Sequence, residues 1–306
     1  MKTDFDHLPA KQQQELVQVR TTLLTEFERA LHGGGGGTQP WRRNGKVLKI
    51  ILFGSYARND WVDEAENGYL SDFDLLVIVS DEKLTEIADY WYVAEDKILR
   101  DPTIGRTVNI IVHTMAEVNQ ALGRGEYFWV DIIHDGVMLY ELPGYPLAAP
   151  QPKKAIDAYE MAQAYFDDWL PKIDRSLQTA KLQGSEGMDA GWRKEVAFSL
   201  HQAVERSYAA YLLVHTFYYP RSHNIKFLRS LAETVSGDLI SAWDRNERSA
   251  RRRFELLKRA YVEARYSDQF DISVEDLELL VESAGLLRDL VANACRTRVA
   301  GLKVAT

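Results

Sequence analysis

The chain has 306 residues, of which 46% are apolar and 27% charged, the balance of a globular protein with room for two domains. No window approaches the ~18 apolar residues of a membrane span, and a net charge of −8 argues against a surface made wholly for nucleic acid. The N-terminus MKTDFDHLPAKQQQ lacks the basic and apolar regions of a signal peptide, and a single cysteine, Cys295, fits a reducing compartment. We therefore expect a cytoplasmic protein with no membrane partner.

The chain opens with an amphipathic helix. Within residues 10–32, Leu16, Val19, Leu23 and Phe27 recur every three or four positions and make one apolar stripe. The stretch HGGGGGTQP ends this helix, because consecutive glycines favour no single backbone conformation. We predict a mobile loop there.

Three short runs read as buried strands. VLKIILF, DLLVIV and TVNIIVH are rich in β-branched residues and apolar on both faces, as expected of strands covered on both sides. Between the second and third lies DEKLTEIADYWYVAEDKIL, with Leu84, Ile87, Tyr90 or Trp91, and Ile98 at helical intervals. The order helix, strand, strand, helix, strand predicts an α+β fold with a mixed sheet.

The second half of the chain is predicted to be a bundle of helices. Four prolines and a glycine within 143–154 form a stiff hinge, so we divide the chain into a first domain at 1–145, a linker at 146–154 and a second domain at 155–306. Beyond the linker no strand-like alternation survives. Helical stripes recur at 158–177, 196–217, 225–235, 254–266 and 274–299.

Polar groups suited to a nucleotide and its metal lie between the first two strands. Gly54 and Ser55 directly follow a buried strand, where a glycine permits a tight turn that exposes backbone N–H groups to an anion. Arg58, one helical turn on, adds a charged fork. Asp72 and Asp74 open the next strand on one face, and two such carboxylates suit Mg²⁺. The alternative is a hairpin with an acidic, solvated loop.

These residues carry a family resemblance. G-S-x-x-R followed by S-D-x-D-L resembles the nucleotidyltransferase superfamily that includes DNA polymerase β, and especially its minimal and kanamycin-type members. The resemblance implies that Gly54 and Ser55, with Arg58 and Ser71, bind the nucleoside triphosphate. Asp72 and Asp74 are then the catalytic residues that bind Mg²⁺.

The sequence departs from the family pattern in two places. The spacer from Ser55 to Asp72 is long, and WVDEAENGY is expected to form an extra loop beside the site. The position of the family's third carboxylate corresponds to Asn109, and an amide cannot act as a base. The sequence offers Asp131, Asp135, Glu126 and His113 as substitutes without choosing among them.

The helical half resembles the HEPN family, bundles found beside or fused to minimal nucleotidyltransferases in prokaryotes, on the stretches FSLHQAVERSYAAYLLVHTFYYPRSHNIKFLRSLAETV and FELLKRAYVEARYSDQF. The resemblance implies a site at His201, His223, Arg265 and Tyr266, with Glu205 and Tyr208 on the helix face of His201. The arginine and histidine four to six residues apart that mark ribonucleases of the family are missing from the sequence. We therefore expect no RNA cleavage, while RNA stays open as a partner.

The sequence as a whole predicts a Mg²⁺-dependent nucleotidyltransferase that moves a nucleoside monophosphate, AMP from ATP in the first instance, to a hydroxyl. The resemblance implies a protein acceptor, as in a toxin–antitoxin pair, or a small molecule, and a homodimer formed through the long helices. The alternative is a nucleotide-sensing or RNA-binding HEPN regulator whose transferase site has degenerated, for which Asn109 is the main evidence.

Overall fold

A computed structural model describes residues 1–33, 39–64, 69–220 and 222–305. The chain divides into two compact units, Met1–Pro152 and Lys153–Thr306, and each is described by itself. The loop predicted in HGGGGGTQP and the extra loop predicted in WVDEAENGY fall largely on residues outside the described ranges.

The first unit is built on the predicted mixed sheet, which has four strands where the sequence analysis named three. Its strands are β1 (Val47–Phe53), β4 (Phe73–Val79), β5 (Val108–Thr114) and β6 (Val137–Glu141), in the order β5-β4-β1-β6. β4 and β5 are parallel, and the other two pairs are antiparallel. Every residue of β1 and β4 is buried, which accounts for their apolar character on both faces.

A two-stranded hairpin lies between β1 and β4. It pairs β2 (Asp63–Glu64) with β3 (Tyr69–Leu70). The sequence analysis did not predict it. Its base is closed by Ser71, whose hydroxyl accepts the Val62 N–H at 2.9 Å.

Helices cover both faces of the sheet. On one face, α1 (Ala10–His32) buries the predicted stripe of Leu16, Val19, Leu23 and Phe27 in the core. Each such side chain contributes roughly 1.5–3 kcal/mol of burial. On the other face lie α5 (Met115–Gly123) and α6 (Tyr127–Asp135), with the ring of Phe128 5.6 Å from that of Phe53.

Five short helical segments complete the secondary structure of this unit within the described residues. A one-turn helix, α2 (Pro40–Arg43), precedes β1, and α3 (Ser55–Arg58) follows it. The single helix predicted for DEKLTEIADYWYVAEDKIL is instead three pieces: a 3-10 turn (Glu82–Thr85), a π-helical turn (Ile87–Trp91) and α4 (Tyr92–Arg100).

The break is explained by Trp91. Its indole N–H donates to the carbonyl of Leu84 at 2.8 Å, which holds the 3-10 turn against the indole ring. Trp91 is thereby fully buried against Phe27. Ile87, predicted to belong to the apolar stripe, is exposed.

The second unit is an all-α bundle, as predicted. Its helices are α7 (Ala155–Glu186), α8 (Ala190–Thr216), α9 (Ile225–Val235), α10 (Arg248–Tyr266) and α11 (Val274–Val304). α8 is buried on nearly every face from Val196 onward, so it forms the centre of the bundle. Side-chain caps begin three of the helices, with Asp189 at α8, Asn224 at α9 and Ser273 at α11.

The proline-rich segment after β6 stays bound to the first unit over most of its length. The Ala148 N–H donates to the Asn119 side chain at 2.8 Å, and the Gln151 N–H donates to the Leu122 carbonyl at 3.0 Å. Both acceptors are on α5. The backbone is therefore anchored to the first unit as far as Gln151.

A buried ion pair connects α1 to the sheet. The Arg106 Nε donates to Glu15 at 2.6 Å, and the two side chains are 3% and 2% exposed. The guanidinium also bonds the Tyr56 hydroxyl and lies about 5 Å from the ring centroids of Tyr56 and Phe73. Because both charges are removed from water, each depends on the other for compensation.

We predict that Arg106→Met lowers the free energy of unfolding of the first unit by about 3–5 kcal/mol. The buried Glu15 charge would keep, among the described residues, only the exposed Lys11 ammonium, 3.9 Å away, as an ionic partner. The double variant Glu15→Leu, Arg106→Met should lose less than the single variant. Urea unfolding of the full chain, with hydrogen exchange of the β1 and β4 amides to identify the transition, measures the loss.

The matched control is Arg100→Met, which breaks an exposed ion pair with Asp96 on α4. Such pairs contribute about 0–1 kcal/mol. Equal losses for Arg106→Met and Arg100→Met would contradict a stabilising role for the buried pair.

Candidate active site

The turn after β1 is pressed against the start of β4. The β1–β4 register pairs Phe53 with Asp74, so the next residue, Gly54, lies beside the Asp74 carboxylate. Gly54 has φ 76°, and a Cβ at this position would lie 2.6 Å from the Asp74 Oδ2. Both the backbone conformation and the close approach therefore require glycine.

Two carboxylates lie side by side at this point. Asp72 directly precedes β4 and Asp74 is its second residue, so the strand period of two puts both on one face. Their side chains are nearly buried, with Asp72 7% and Asp74 2% exposed. Asn109 lies opposite Asp74 in the parallel β4–β5 register, and its amide nitrogen is 2.9 Å from Asp74 Oδ1 and 3.4 Å from Asp72 Oδ2.

The donor set at this position fits Mg²⁺. Two carboxylates and the side-chain oxygen of an amide are all hard ligands, and Mg²⁺ is usually held by one or two carboxylates together with substrate phosphates. Within the described residues, no group of three or more His, Cys, Asp or Glu side chains is placed to hold a metal. The pair of Asp72 and Asp74 is therefore suited to a metal that arrives with a nucleotide rather than to a site enclosed by protein.

The other predicted nucleotide-binding residues surround the Gly54 turn. Ser55 begins the one-turn helix α3, and Arg58 ends it. The Arg58 guanidinium makes two bonds to Asp60, at 3.1 and 3.3 Å. Ser71 precedes Asp72, and its hydroxyl closes the β2–β3 hairpin. Gly54 and Ser55 thus lie with the carboxylates, whereas Arg58 and Ser71 have partners in the adjoining loop.

The four substitutes for the third carboxylate differ in their surroundings. Glu126 is buried beside Arg124, with its carboxylate 2.7 Å from the Arg124 Nε. His113 lies 3.4 Å from Glu117 and holds the pKa of that carboxyl at about 2 through a hydrogen bond. Asp135 lies 2.6 Å from His134 at the surface.

Asp131 is the one of the four whose pKa is affected by Arg58, in the turn after β1. Burial raises the pKa of Asp131, the charge of Asp135 raises it further, and the positive charge of Arg58 opposes both. This interaction indicates that α6 approaches the α3 turn. None of the four occupies the position of Asn109 between the two aspartates.

The sequence analysis missed a layer of buried side chains next to the site, formed by Tyr56, Phe73 and Arg106. Tyr56 and Phe73 are each the neighbour of a site residue, and both are fully buried against the Arg106 guanidinium. The one signal in the sequence was Glu15, an acid next to Leu16 on the apolar side of α1. It predicts a buried partner without saying which.

In the second unit, the two predicted histidines lie at one place. His201 is fully buried, with Nδ1 2.9 Å from the Leu257 carbonyl and Nε2 3.1 Å from the His223 carbonyl. His223 is itself half exposed, and its Nδ1 lies 2.9 Å from the Glu205 carboxylate. Burial raises the pKa of Glu205, but hydrogen bonds from both histidines outweigh burial and lower it.

Arg265 and Tyr266 belong to the same surface. The Arg265 guanidinium lies 4.7–4.9 Å from the ring centroids of Phe198, Tyr261 and Tyr266. Tyr261, four residues before Arg265, stacks on the His223 ring at 4.1 Å. The structure therefore gathers all four predicted residues around Tyr261, which the sequence analysis did not name although the spacing of four places it on the Arg265 face.

Tyr208, predicted to share the His201 face, is directed elsewhere. Its hydroxyl accepts the Trp243 indole N–H at 2.7 Å in the core of the bundle. Two arginines near the histidines in sequence also have structural roles, since Arg193 donates to the Ile272 and Met188 carbonyls and Arg206 to Ser176. Arg221, two residues before His223, lies outside the described residues.

The arginine-rich segment at 245–259 is largely paired within the bundle. Arg252 forms an ion pair with Asp276 at 2.6 Å, and Arg245 forms one with Glu233. Arg251 donates to the Arg245 and Asn246 carbonyls. These contacts indicate a solvated face whose charges are largely paired within the bundle.

Comparison with known proteins identifies both parts of the chain. Residues 39–121 match the family model of the nucleotidyltransferase domain, and residues 166–294 match that of the HEPN domain. No curated protein matches the chain. No helix in the described ranges has the length and apolar character needed to span a membrane. The protein is therefore a fusion of a nucleotidyltransferase domain with a HEPN domain, the combination that the two sequence motifs predicted.

Proposed function

We propose that the first unit transfers a nucleoside monophosphate from an NTP, ATP in the first instance, to an acceptor oxygen in a Mg²⁺-dependent reaction. The observation that carries the proposal is the contact of Gly54 with Asp74. A glycine turn of the kind that suits phosphates lies beside two nearly buried carboxylates, which suit the metal that accompanies those phosphates.

The chain's own residues have separate tasks in this reaction. The turn at Gly54 and Ser55 presents backbone N–H groups and a hydroxyl that hold the triphosphate. The buried carboxylates of Asp72 and Asp74 fix the position of the reacting phosphate relative to that turn. Bound Mg²⁺ offsets negative charge at the reacting phosphoryl group and the leaving pyrophosphate.

The acceptor implied by the family resemblance is a hydroxyl on a protein or a small molecule. A toxin–antitoxin role would follow if the acceptor is a protein partner. The cytoplasmic location and the homodimer also stay predictions from the sequence.

A second candidate is a regulator that senses nucleotides or RNA through the HEPN domain. The surface of Arg265, Tyr266, Tyr261 and His223 favours it, because a cation flanked by partly exposed rings can stack on a base and attract a phosphate. Under this alternative the chain binds nucleotide or RNA, and no pyrophosphate is released from ATP.

We predict that Asp72→Asn and Asp74→Asn each lower pyrophosphate release from Mg²⁺ and ATP by roughly 100-fold or more, because even outer-shell partners of a metal are worth about 10–100-fold. Each substitution keeps the side-chain size and removes the charge that offsets the metal. Calorimetry of Mg²⁺–ATP binding to the double variant provides a second measurement.

The control for loss of charge alone is Asp96→Asn, a change at a partly exposed position of α4. It should leave pyrophosphate release and Mg²⁺–ATP binding as they are in the unmodified protein. Mg²⁺–ATP binding that is as tight in the double variant as in the unmodified chain would refute the assignment. The segment would then be a charged hairpin.

A second prediction separates two effects of a side chain at position 54: the steric clash of its Cβ with Asp74 and the strain of the backbone conformation. Gly54 and Gly144 both have positive φ, 76° and 92°, but a Cβ at Gly144 meets nothing within 4 Å. At Gly54, where ψ is −153°, the backbone lies in a region essentially restricted to glycine, and alanine there costs on the order of 1–3 kcal/mol. At Gly144 the positive φ alone costs about 1–2 kcal/mol. Only Gly54→Ala must also displace the Asp74 carboxylate.

We therefore expect Gly54→Ala to weaken Mg²⁺–ATP binding at least tenfold, with Gly144→Ala unchanged in binding and similarly reduced in stability. Thermal unfolding and calorimetry on the same samples compare the two effects. Equal nucleotide binding by both variants would show that the contact with Asp74 does not matter for the site.

A further inference from the structure

We infer that the acceptor in this transfer is an oxyanion, either a phosphate monoester or a carboxylate, rather than a neutral hydroxyl. The inference rests on the proposed function, and it narrows the chemistry of the acceptor at the same site. The residue that determines it is Asn109.

Asn109 lies where a proton acceptor for a hydroxyl would be needed. The β4–β5 register sets it directly opposite Asp74, and its amide nitrogen reaches both carboxylates, at 2.9 and 3.4 Å. It is 7% exposed, so its side chain is confined to this position. An amide donates and accepts hydrogen bonds, but it does not take up a proton near neutral pH. A hydroxyl bound here would find no base at Asn109.

The neighbouring titratable groups do not complete the site. Among the residues that the structure describes, no third acid, histidine or cysteine joins the two aspartates in a metal-binding group. His113 is on the same strand face as Asn109 but four residues along, roughly 13 Å away at the rise of a strand, and is engaged by Glu117. Glu126 is held by Arg124. Asp131 approaches the Arg58 side of the turn and enters the test as a separate variant.

The amide at position 109 also changes the charge of the site. With an amide at position 109, two carboxylates rather than three face the reacting phosphate. One negative charge fewer removes one source of repulsion toward an anion bound there. An anionic acceptor is therefore disfavoured less here than beside three carboxylates.

The reaction balances without a base. An oxygen lone pair of the acceptor anion forms a bond to the α-phosphorus of ATP, and the bond from that phosphorus to the bridging oxygen breaks. The bonding pair leaves with pyrophosphate. No proton changes place, and the product is an anhydride: a diphosphate diester from a phosphate monoester, or an acyl adenylate from a carboxylate.

The test uses the full chain with ATP, Mg²⁺ and matched acceptors at equal concentration. Glycerol 3-phosphate is compared with glycerol, and N-acetylglutamate with N-acetylserinamide, which offers a hydroxyl and carries no carboxylate. Mass spectrometry detects each adduct, and phosphorus NMR distinguishes a P–O–P linkage from a phosphodiester. We expect transfer to at least one of the two oxyanions to exceed transfer to its hydroxyl partner tenfold or more, and the pair that responds identifies the source of the oxyanion.

The dependence on pH gives an independent readout. Transfer to glycerol 3-phosphate should level off above about pH 7, because the second pKa of a phosphate monoester is about 6. Transfer to a hydroxyl without a base should instead keep rising with pH. Asn109→Asp should raise the yield of hydroxyl adducts at least tenfold and tighten Mg²⁺ binding in calorimetry.

The matched control is Asn119→Asp, which adds the same charge on α5, beyond the far end of β5, and keeps the acceptor for the Ala148 N–H. It should not alter the choice of acceptor. Hydroxyl adducts that equal or exceed oxyanion adducts in the unmodified chain would overturn the inference and leave the transferase function standing. Loss of hydroxyl transfer in Asp131→Asn would also overturn the inference, because it would identify Asp131 as the base. A chain that forms no adduct and does not bind Mg²⁺–ATP would overturn the proposed function together with the inference.

Discussion

The pairing of β1 with β4 is the constraint on which the candidate site depends. It sets the end of one strand beside the start of the other, so that Gly54 has no room for a side chain next to Asp74. The glycine turn and the Asp74 carboxylate, for which we propose binding of phosphate and metal, are thereby held together by the backbone of the sheet rather than by flexible side chains. Precision of this kind is what a reaction between a nucleotide and an acceptor requires.

The layer of buried side chains next to the site supports the same geometry through buried charge. The Arg106 guanidinium lies about 5 Å from the ring centroids of both Tyr56 and Phe73, each adjacent in sequence to a site residue, and is paired with Glu15 from α1. The ion pair is costly to break because neither partner can return to water. The helix that covers the sheet is thus coupled to the turn and to the aspartates.

The HEPN unit uses a different principle to order its polar residues. His201 is held by two backbone carbonyls from separate segments, and His223 is held by the Glu205 carboxylate and the ring of Tyr261. The buried histidine organises the fold, while the half-exposed one remains at the surface with Arg265. The two histidines predicted together therefore have different roles.

The sequence by itself determined the features that repeat over short distances: three strands of the sheet, helix α1 and the helices of the second unit, and the pair of aspartates on one strand face. It also determined the glycine turn, because periodicity and local conformation are encoded in neighbouring residues. The tertiary structure alone decided which distant residues meet. Glu15 and Arg106 are separated by 91 positions and His223 and Tyr261 by 38, and no local pattern specifies such pairs. The break of the helix at Trp91 also depended on burial of its ring against Phe27, since tertiary packing outweighs a local helical preference of a few tenths of a kcal/mol per residue.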